Sequence, residues 1–100
     1  MTVADPLEER FWALAQTQTA GFGFAPDCES LMRSFISLGV ARLKKEGFAD
    51  NEYKIYEAEA NLSRFIHAMT QEAMRLGLRE LHEPTFNNVW AWICPLWAFC

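Results

Sequence analysis

The sequence has little valine, and it contains no hydrophobic run long enough to span a bilayer. Valine occurs only at positions 3, 40 and 89, and no stretch alternates β-branched with polar residues. Because strands favour both features, we do not expect a sheet protein. No segment approaches the roughly 20 consecutive apolar residues needed to span a bilayer. The sequence therefore predicts neither a sheet-based fold nor a membrane-spanning helix.

Clustered positive charge is also scarce. The net charge is -4 and the pI is about 5.1. The basic pair Lys44-Lys45 is followed at once by Glu46 and has the pattern of a solvated helix end. Nucleic-acid binding needs clustered Lys and Arg, so we expect no nucleic-acid partner. The N-terminal residues are acidic where a signal peptide is basic, which leads us to expect a cytoplasmic protein with reduced cysteines.

Helical patterns account for most of the chain. Apolar residues recur at three- and four-residue intervals, and a capping residue precedes each such stretch, which is typical of amphipathic helices. We expect an all-α fold, a compact bundle of three main helices plus a short C-terminal helix and an apolar tail. By length it should be one domain covering residues 1–100. The predicted N-terminal caps of the four helices are Asp5, Asp27, Asp50 and Thr85.

The second helix follows a segment rich in glycine and phenylalanine. Residues 21–26 hold two glycines and a proline, yet also Phe22 and Phe24, so they predict a loop folded over the core. The helix after this loop should end before Gly47, a natural C-terminal stop. Its predicted apolar stripe includes Leu31, Phe35, Leu38 and Leu43.

The third helix has no proline before Pro84 and could extend from residue 51 to about 82. At 1.5 Å per residue its length would be about 45 Å. That is long for a chain of this size, whose radius of gyration should be about 13 Å. Either Gly77 ends the helix, or the helix projects and pairs with a second chain. Its apolar residues at intervals of seven are Ile55, Leu62, Met69 and Leu76.

The last eleven residues, 90–100, hold three of the four tryptophans and two of the three cysteines, and none is charged. Each large aromatic side chain carries about 150–250 Å² of surface that gains by burial. The segment should therefore pack on its own domain, a second copy, another protein or a membrane surface. The lack of Lys and Arg disfavours the membrane. Phe86 and Val89 should face inward, and the predicted contact residues are Trp90, Ile93, Leu96, Trp97 and Phe99.

These features predict a non-enzymatic protein–protein interaction or assembly module. It should be homo-oligomeric, with a homodimer as the simplest form, or should dock on an unidentified protein. Two other functions stay open. One is the precursor of a ribosomally made, modified peptide, with a helical leader and a Cys- and Trp-rich end. The other is a small thiol-dependent enzyme that uses Cys28.

Cys28 is the candidate reactive thiol because it lies at the start of a predicted helix, where the helix dipole lowers a thiol pKa. The flanking carboxylates of Asp27 and Glu29 act in the opposite direction. Cys94 and Cys100 lack the close spacing of zinc ligands, and no histidine is paired in a metal-binding pattern. We therefore expect no metal site and no cofactor.

Overall fold

The computed structural model describes residues 5–19 and 21–92. Within these residues the predicted all-α bundle is confirmed, with three main helices and a shorter fourth. The helices and the two short strands are, in chain order, α1 (Pro6–Thr17), β1 (Gly23–Phe24), α2 (Pro26–Lys45), α3 (Glu52–Leu76), β2 (Glu80–Leu81) and α4 (Glu83–Trp92). The predicted apolar tail lies outside the described residues.

Both α1 and α2 have a proline in the first turn, but their N-terminal caps differ. In α1 the carboxylate of Asp5 accepts a hydrogen bond from the backbone N–H of Leu7 at 2.9 Å, and Pro6 occupies the first turn, as predicted. The start predicted for α2 was wrong, because Pro26 fits the first turn and Ala25 is the N-terminal cap. Asp27, the predicted cap, lies inside the helix.

The third helix ends at Leu76, so of the two alternatives that the sequence left open, the structure shows the one in which Gly77 ends the helix. Gly77 adopts a left-handed conformation with φ of 71°, which a glycine tolerates without a steric penalty. At 1.5 Å per residue the helix is about 37 Å long, which fits within the longest dimension of 41 Å. Its length therefore gives no support for pairing with a second chain. The helix is capped by Asn51 and not by Asp50, since the Asn51 side chain accepts from the N–H of Lys54.

The two short strands were not predicted. β1 and β2 pair in parallel, with Gly23 opposite Glu80 and Phe24 opposite Leu81. Two residues are too few to show the alternating pattern of a strand. The pair joins the segment before α2 to the segment before α4. Consequently these two helices start side by side.

A single cluster of buried side chains receives residues from all four helices. The helix α1 also contacts its neighbours through charge, since Arg10 lies 3.0 Å from Glu59 of α3 and Lys44 of α2 pairs with Asp5. Leu38 departs from the stripe predicted for α2, because its side chain is 68% exposed. The largest fully buried apolar side chains of the helices are Phe11, Met32, Ile36, Val40, Leu62, Phe65, Ile66, Met69 and Val89.

The predicted cap of the last helix was wrong. Helix α4 begins at Glu83 with Pro84 in its first turn, where a proline is tolerated. Thr85 therefore lies inside the helix and is fully buried. Its hydroxyl oxygen has no hydrogen-bond partner among the described residues. The cap comes from another helix, because the carboxylate of Asp27 accepts from the N–H of Glu83 at 3.2 Å.

The variant Thr85→Val should be more stable than the natural protein by about 1 kcal/mol, because a buried hydroxyl without a partner is replaced by a methyl group of the same shape. Urea denaturation would measure the change. Thr70→Val is the matched control, since Thr70 is equally buried but its hydroxyl donates to the carbonyl of His67 at 2.8 Å. We expect the control to be neutral or destabilised. A loss of stability in Thr85→Val as large as in the control would contradict the prediction.

Candidate functional site

Four aromatic rings from three helices meet at one side of the bundle. Phe35 comes from α2, Phe65 from α3, and Phe86 and Trp90 from α4. The six distances between their ring centroids range from 5.2 to 6.3 Å. These are favourable separations for aromatic pairs. We call these four residues the aromatic cluster.

The aromatic cluster extends from the core to the surface. Phe86 and Trp90 are four residues apart and so lie on one side of α4, with their rings stacked at an interplanar angle of 18°. Phe65, Phe35 and Phe86 are buried, whereas Trp90 is 39% exposed. The inward orientation predicted for Phe86 and Val89 agrees with the structure. Trp90 thus presents part of its indole to solvent while three buried rings hold it in place.

Two contacts show that α4 lies alongside α2 and has the same general direction. At the start of both helices, Asp27 accepts from the N–H of Glu83. Further along both helices, the ring centroids of Phe35 and Trp90 are 5.2 Å apart. Leu38 lies one turn beyond Phe35 on the same side of α2, since residues three apart are neighbours on a helix. This exposed leucine therefore lies on α2 one turn C-terminal to the residue that contacts Trp90.

A polar contact fixes α4 on α3. The side-chain amide of Asn88 donates to the carboxylate of Glu72 at 3.3 Å. Arg75 donates to the same carboxylate at 2.8 and 3.0 Å. The guanidinium of Arg75 is the main reason why the pKa of Glu72 is lowered, and Asn88 adds to the effect. A carboxylate that stays charged can hold α4 in one orientation, which keeps Trp90 at the surface.

The sequence-predicted contact residues divide into two groups. The structure places Trp90 at the surface, next to the buried part of the aromatic cluster. Ile93, Leu96, Trp97 and Phe99 lie outside the described residues, so their contacts stay a prediction. Leu38 is exposed near Trp90, although the sequence predicted it to be buried. That prediction followed from its spacing from Phe35, which suits the buried stripe of α2.

The candidate thiol Cys28 is fully buried in the core. Burial, with a smaller effect from the negative charge of Asp27, raises the pKa of Cys28 to about 12. A reactive cysteine needs a thiolate near neutral pH and access to solvent. The position at the start of α2 suggested such a thiolate, but burial and the charge of Asp27 raise the pKa of Cys28 instead. The environment of Cys28 is that of a core side chain and does not favour a nucleophile.

A metal site, a membrane-spanning helix and an enclosed pocket each place their own requirements on the described residues. No group of three or more His, Cys, Asp or Glu side chains there is placed to hold a metal ion. None of the described helices has the length and apolar character that a bilayer crossing requires. The cavities lined by described residues include a shallow one beside Trp12 and Arg33 and another between Leu14 and Tyr56. Neither is lined by a cysteine or a histidine.

We predict that Cys28 reacts slowly with a thiol-alkylating reagent in the folded protein. At pH 7 a pKa of about 12 leaves about a thousandfold less thiolate than an ordinary cysteine has. Burial should slow the reaction further. Because the folded pKa is raised, the thiolate fraction should increase about tenfold per pH unit until about pH 12. Peptide mapping by mass spectrometry would separate Cys28 from Cys94 and Cys100.

The urea-unfolded chain is the control for this measurement, and it should be alkylated at Cys28 at the rate of a model thiol. Rapid alkylation of Cys28 in the folded protein at pH 7 would contradict the prediction and support the thiol-dependent alternative.

Comparison with known proteins gives no match for this chain. No protein-family model, no curated protein and no solved structure matches it. The observations that bear on function are therefore the aromatic cluster, the exposed part of Trp90 and the neighbouring Leu38.

Proposed function

We propose that this chain is a non-enzymatic assembly module that pairs with a second copy of itself through its C-terminal residues. The contact residues are Trp90, Ile93, Leu96, Trp97 and Phe99. The observation that carries the proposal is the 39% exposure of Trp90, whose ring is held by three buried aromatic side chains. A large aromatic group fixed at the surface is the usual form of an energetically dominant contact.

The fixed position of Trp90 favours binding because little conformational freedom remains to be lost. Ordering a mobile side chain at an interface costs about 0.5–1.5 kcal/mol. The indole of Trp90 already lies stacked on Phe86 and edge-on to Phe35. Most of this entropic cost is therefore met when the chain folds.

The charge distribution favours contact at this end of the chain. Each copy carries a net charge of -4, so two copies repel each other in general. Residues 84–100 contain no charged side chain. Interface centres are depleted of charge and enriched in tryptophan and phenylalanine. Pairing through the C-terminal residues thus avoids contacts between like charges, and a two-fold symmetric dimer is the commonest form of such an assembly.

The two other functions predicted from the sequence receive less support. The buried, protonated thiol of Cys28 disfavours a thiol-dependent enzyme. A peptide precursor would need a leader that folds without its product. Phe86 and Val89 belong to the core, so a leader ending before α4 would lose part of that core. The cytoplasmic location stays a prediction from the sequence.

Light scattering of the full chain over a range of concentrations tests the proposal. We expect a dimer that dissociates on dilution. Trp90→Ser should raise the dissociation constant roughly 30-fold or more, because loss of a dominant interface residue costs about 2 kcal/mol or more. Tyr56→Ser is the matched control, since Tyr56 is 70% exposed and lines the cavity beside Leu14, away from the aromatic cluster.

The control should dimerise like the natural protein, and circular dichroism should show that both variants are folded. A natural protein that stays monomeric at every concentration would contradict the proposal. So would a folded Trp90→Ser variant with an unchanged dissociation constant.

A further inference from the structure

Building on the proposed pairing of two copies, we propose that the α2 surface at Leu38 is the docking site for residues 93–100 of the second copy. The two copies then exchange their C-terminal segments reciprocally. Each segment crosses to the other copy and covers the exposed leucine beside that copy's aromatic cluster.

The first argument is the placement of Leu38. Single exposed leucines are common on protein surfaces and need no explanation by themselves. Leu38, however, is 68% exposed and lies one turn beyond Phe35, whose ring contacts Trp90. The surface at Leu38 therefore continues the aromatic cluster along α2. An apolar segment docked there would lie next to the aromatic cluster.

The second argument is the course of α4. The contacts of Glu83 with Asp27 and of Trp90 with Phe35 give α4 the same general direction as α2. Leu38 is the next exposed apolar residue of α2 in that direction. The uncharged residues 93–100 follow directly after the end of α4. Their point of departure is thus close to the surface that they would cover.

The third argument is the area that a dimer requires. A stable interface buries about 800 Å² on each partner. A whole tryptophan side chain carries at most about 250 Å², so the exposed 39% of Trp90 supplies about 100 Å². Trp97 and Phe99 would each add about 150–250 Å² if buried. The pairing therefore needs residues 93–100 in addition to Trp90.

Length and charge are compatible with exchange. Eight extended residues span at most about 28 Å, several times the rise of one helical turn. The neighbours of Leu38 on the exposed side of α2 include the uncharged Ser34 and Ala41. Arg42 follows one turn later, and its guanidinium lies 3.8 Å from the carboxylate of Glu46. Docking at Leu38 thus buries no isolated charge.

A segment that can dock at Leu38 in its own chain can make the same contacts with a second copy. Such exchange is a common route to a dimer, because the contacts are already present in the fold. Reciprocal exchange provides two docked segments per dimer. Docking within one chain would leave only the exposed part of Trp90 for the pairing.

Two full-chain variants separate these arrangements, because docking within one chain would leave the pairing through Trp90 intact in both variants. Leu38→Asp disables the docking surface, and Trp97→Asp disables the segment. Each variant alone should lose dimerisation, with a dissociation constant raised at least tenfold. An equal mixture should form a heterodimer, since the intact segment of the first variant can dock on the intact surface of the second. Isotope labelling of one variant lets native mass spectrometry identify that heterodimer.

Ser37→Asp is the matched control, because it adds the same charge at an exposed neighbouring position on another side of α2. It should dimerise normally. Leu38→Gln is the second variant if Leu38→Asp does not fold, and its dissociation constant should also rise.

Three other results would each overturn the proposed docking at Leu38. If the natural protein dimerises and folded Leu38→Asp does too, the pairing stands but Leu38 is not the docking site. If both variants lose dimerisation and their mixture forms no heterodimer, residues 93–100 do not dock at Leu38 of the second copy. If the natural protein is monomeric, the proposed function fails together with the exchange.

Discussion

The contact among the four aromatic rings determines where α4 lies and what the protein presents to solvent. Phe35 and Phe65 come from the two longest helices, and their rings are 5.2 Å apart in the buried part of the bundle. Phe86 completes the buried set, and Trp90 extends it to the surface. A change in this packing would shift α4 and with it the exposed indole. The stability of the core and the shape of the candidate surface therefore depend on the same side chains.

The start of α4 is fixed by parts of the chain that lie far apart in sequence. Asp27 supplies the cap for Glu83, and the β1–β2 pair brings the segments before α2 and α4 together. At its other side, α4 is held by the hydrogen bond from Asn88 to Glu72. These polar contacts orient the helix, while the rings of Phe86 and Trp90 pack it against Phe35 of α2 and Phe65 of α3. Together they hold Trp90 at one place on the surface, as an assembly contact requires.

Local signals predicted the four helices, although three of the four predicted caps were wrong, and contacts between distant residues escaped sequence reasoning. The cap at Asp5 and the stop at Gly77 act within one turn of the chain, so the sequence contains the whole signal. Asp27 was predicted to cap α2, and its carboxylate does accept from the N–H of Cys28, but its second contact, with the N–H of Glu83, lies 56 residues away. The spacing of Leu38 fits the apolar stripe of α2. Helix α4 covers that stripe at Phe35, one turn earlier, and leaves Leu38 exposed. The contact site was predicted at Trp90, and the neighbouring α2 surface emerged only from the packing of α2 and α4.

Amide hydrogen exchange, measured as a function of protein concentration, tests the central claim most directly. Pairing around the aromatic cluster predicts that amides of residues 36–42 in α2 and 87–92 in α4 gain protection as the concentration rises through the dissociation constant. Amides of α1, which contacts α2 and α3 through Arg10 and Trp12, should not change. Exchange that is independent of concentration in α2 and α4, or protection that increases only in α1, would contradict the account.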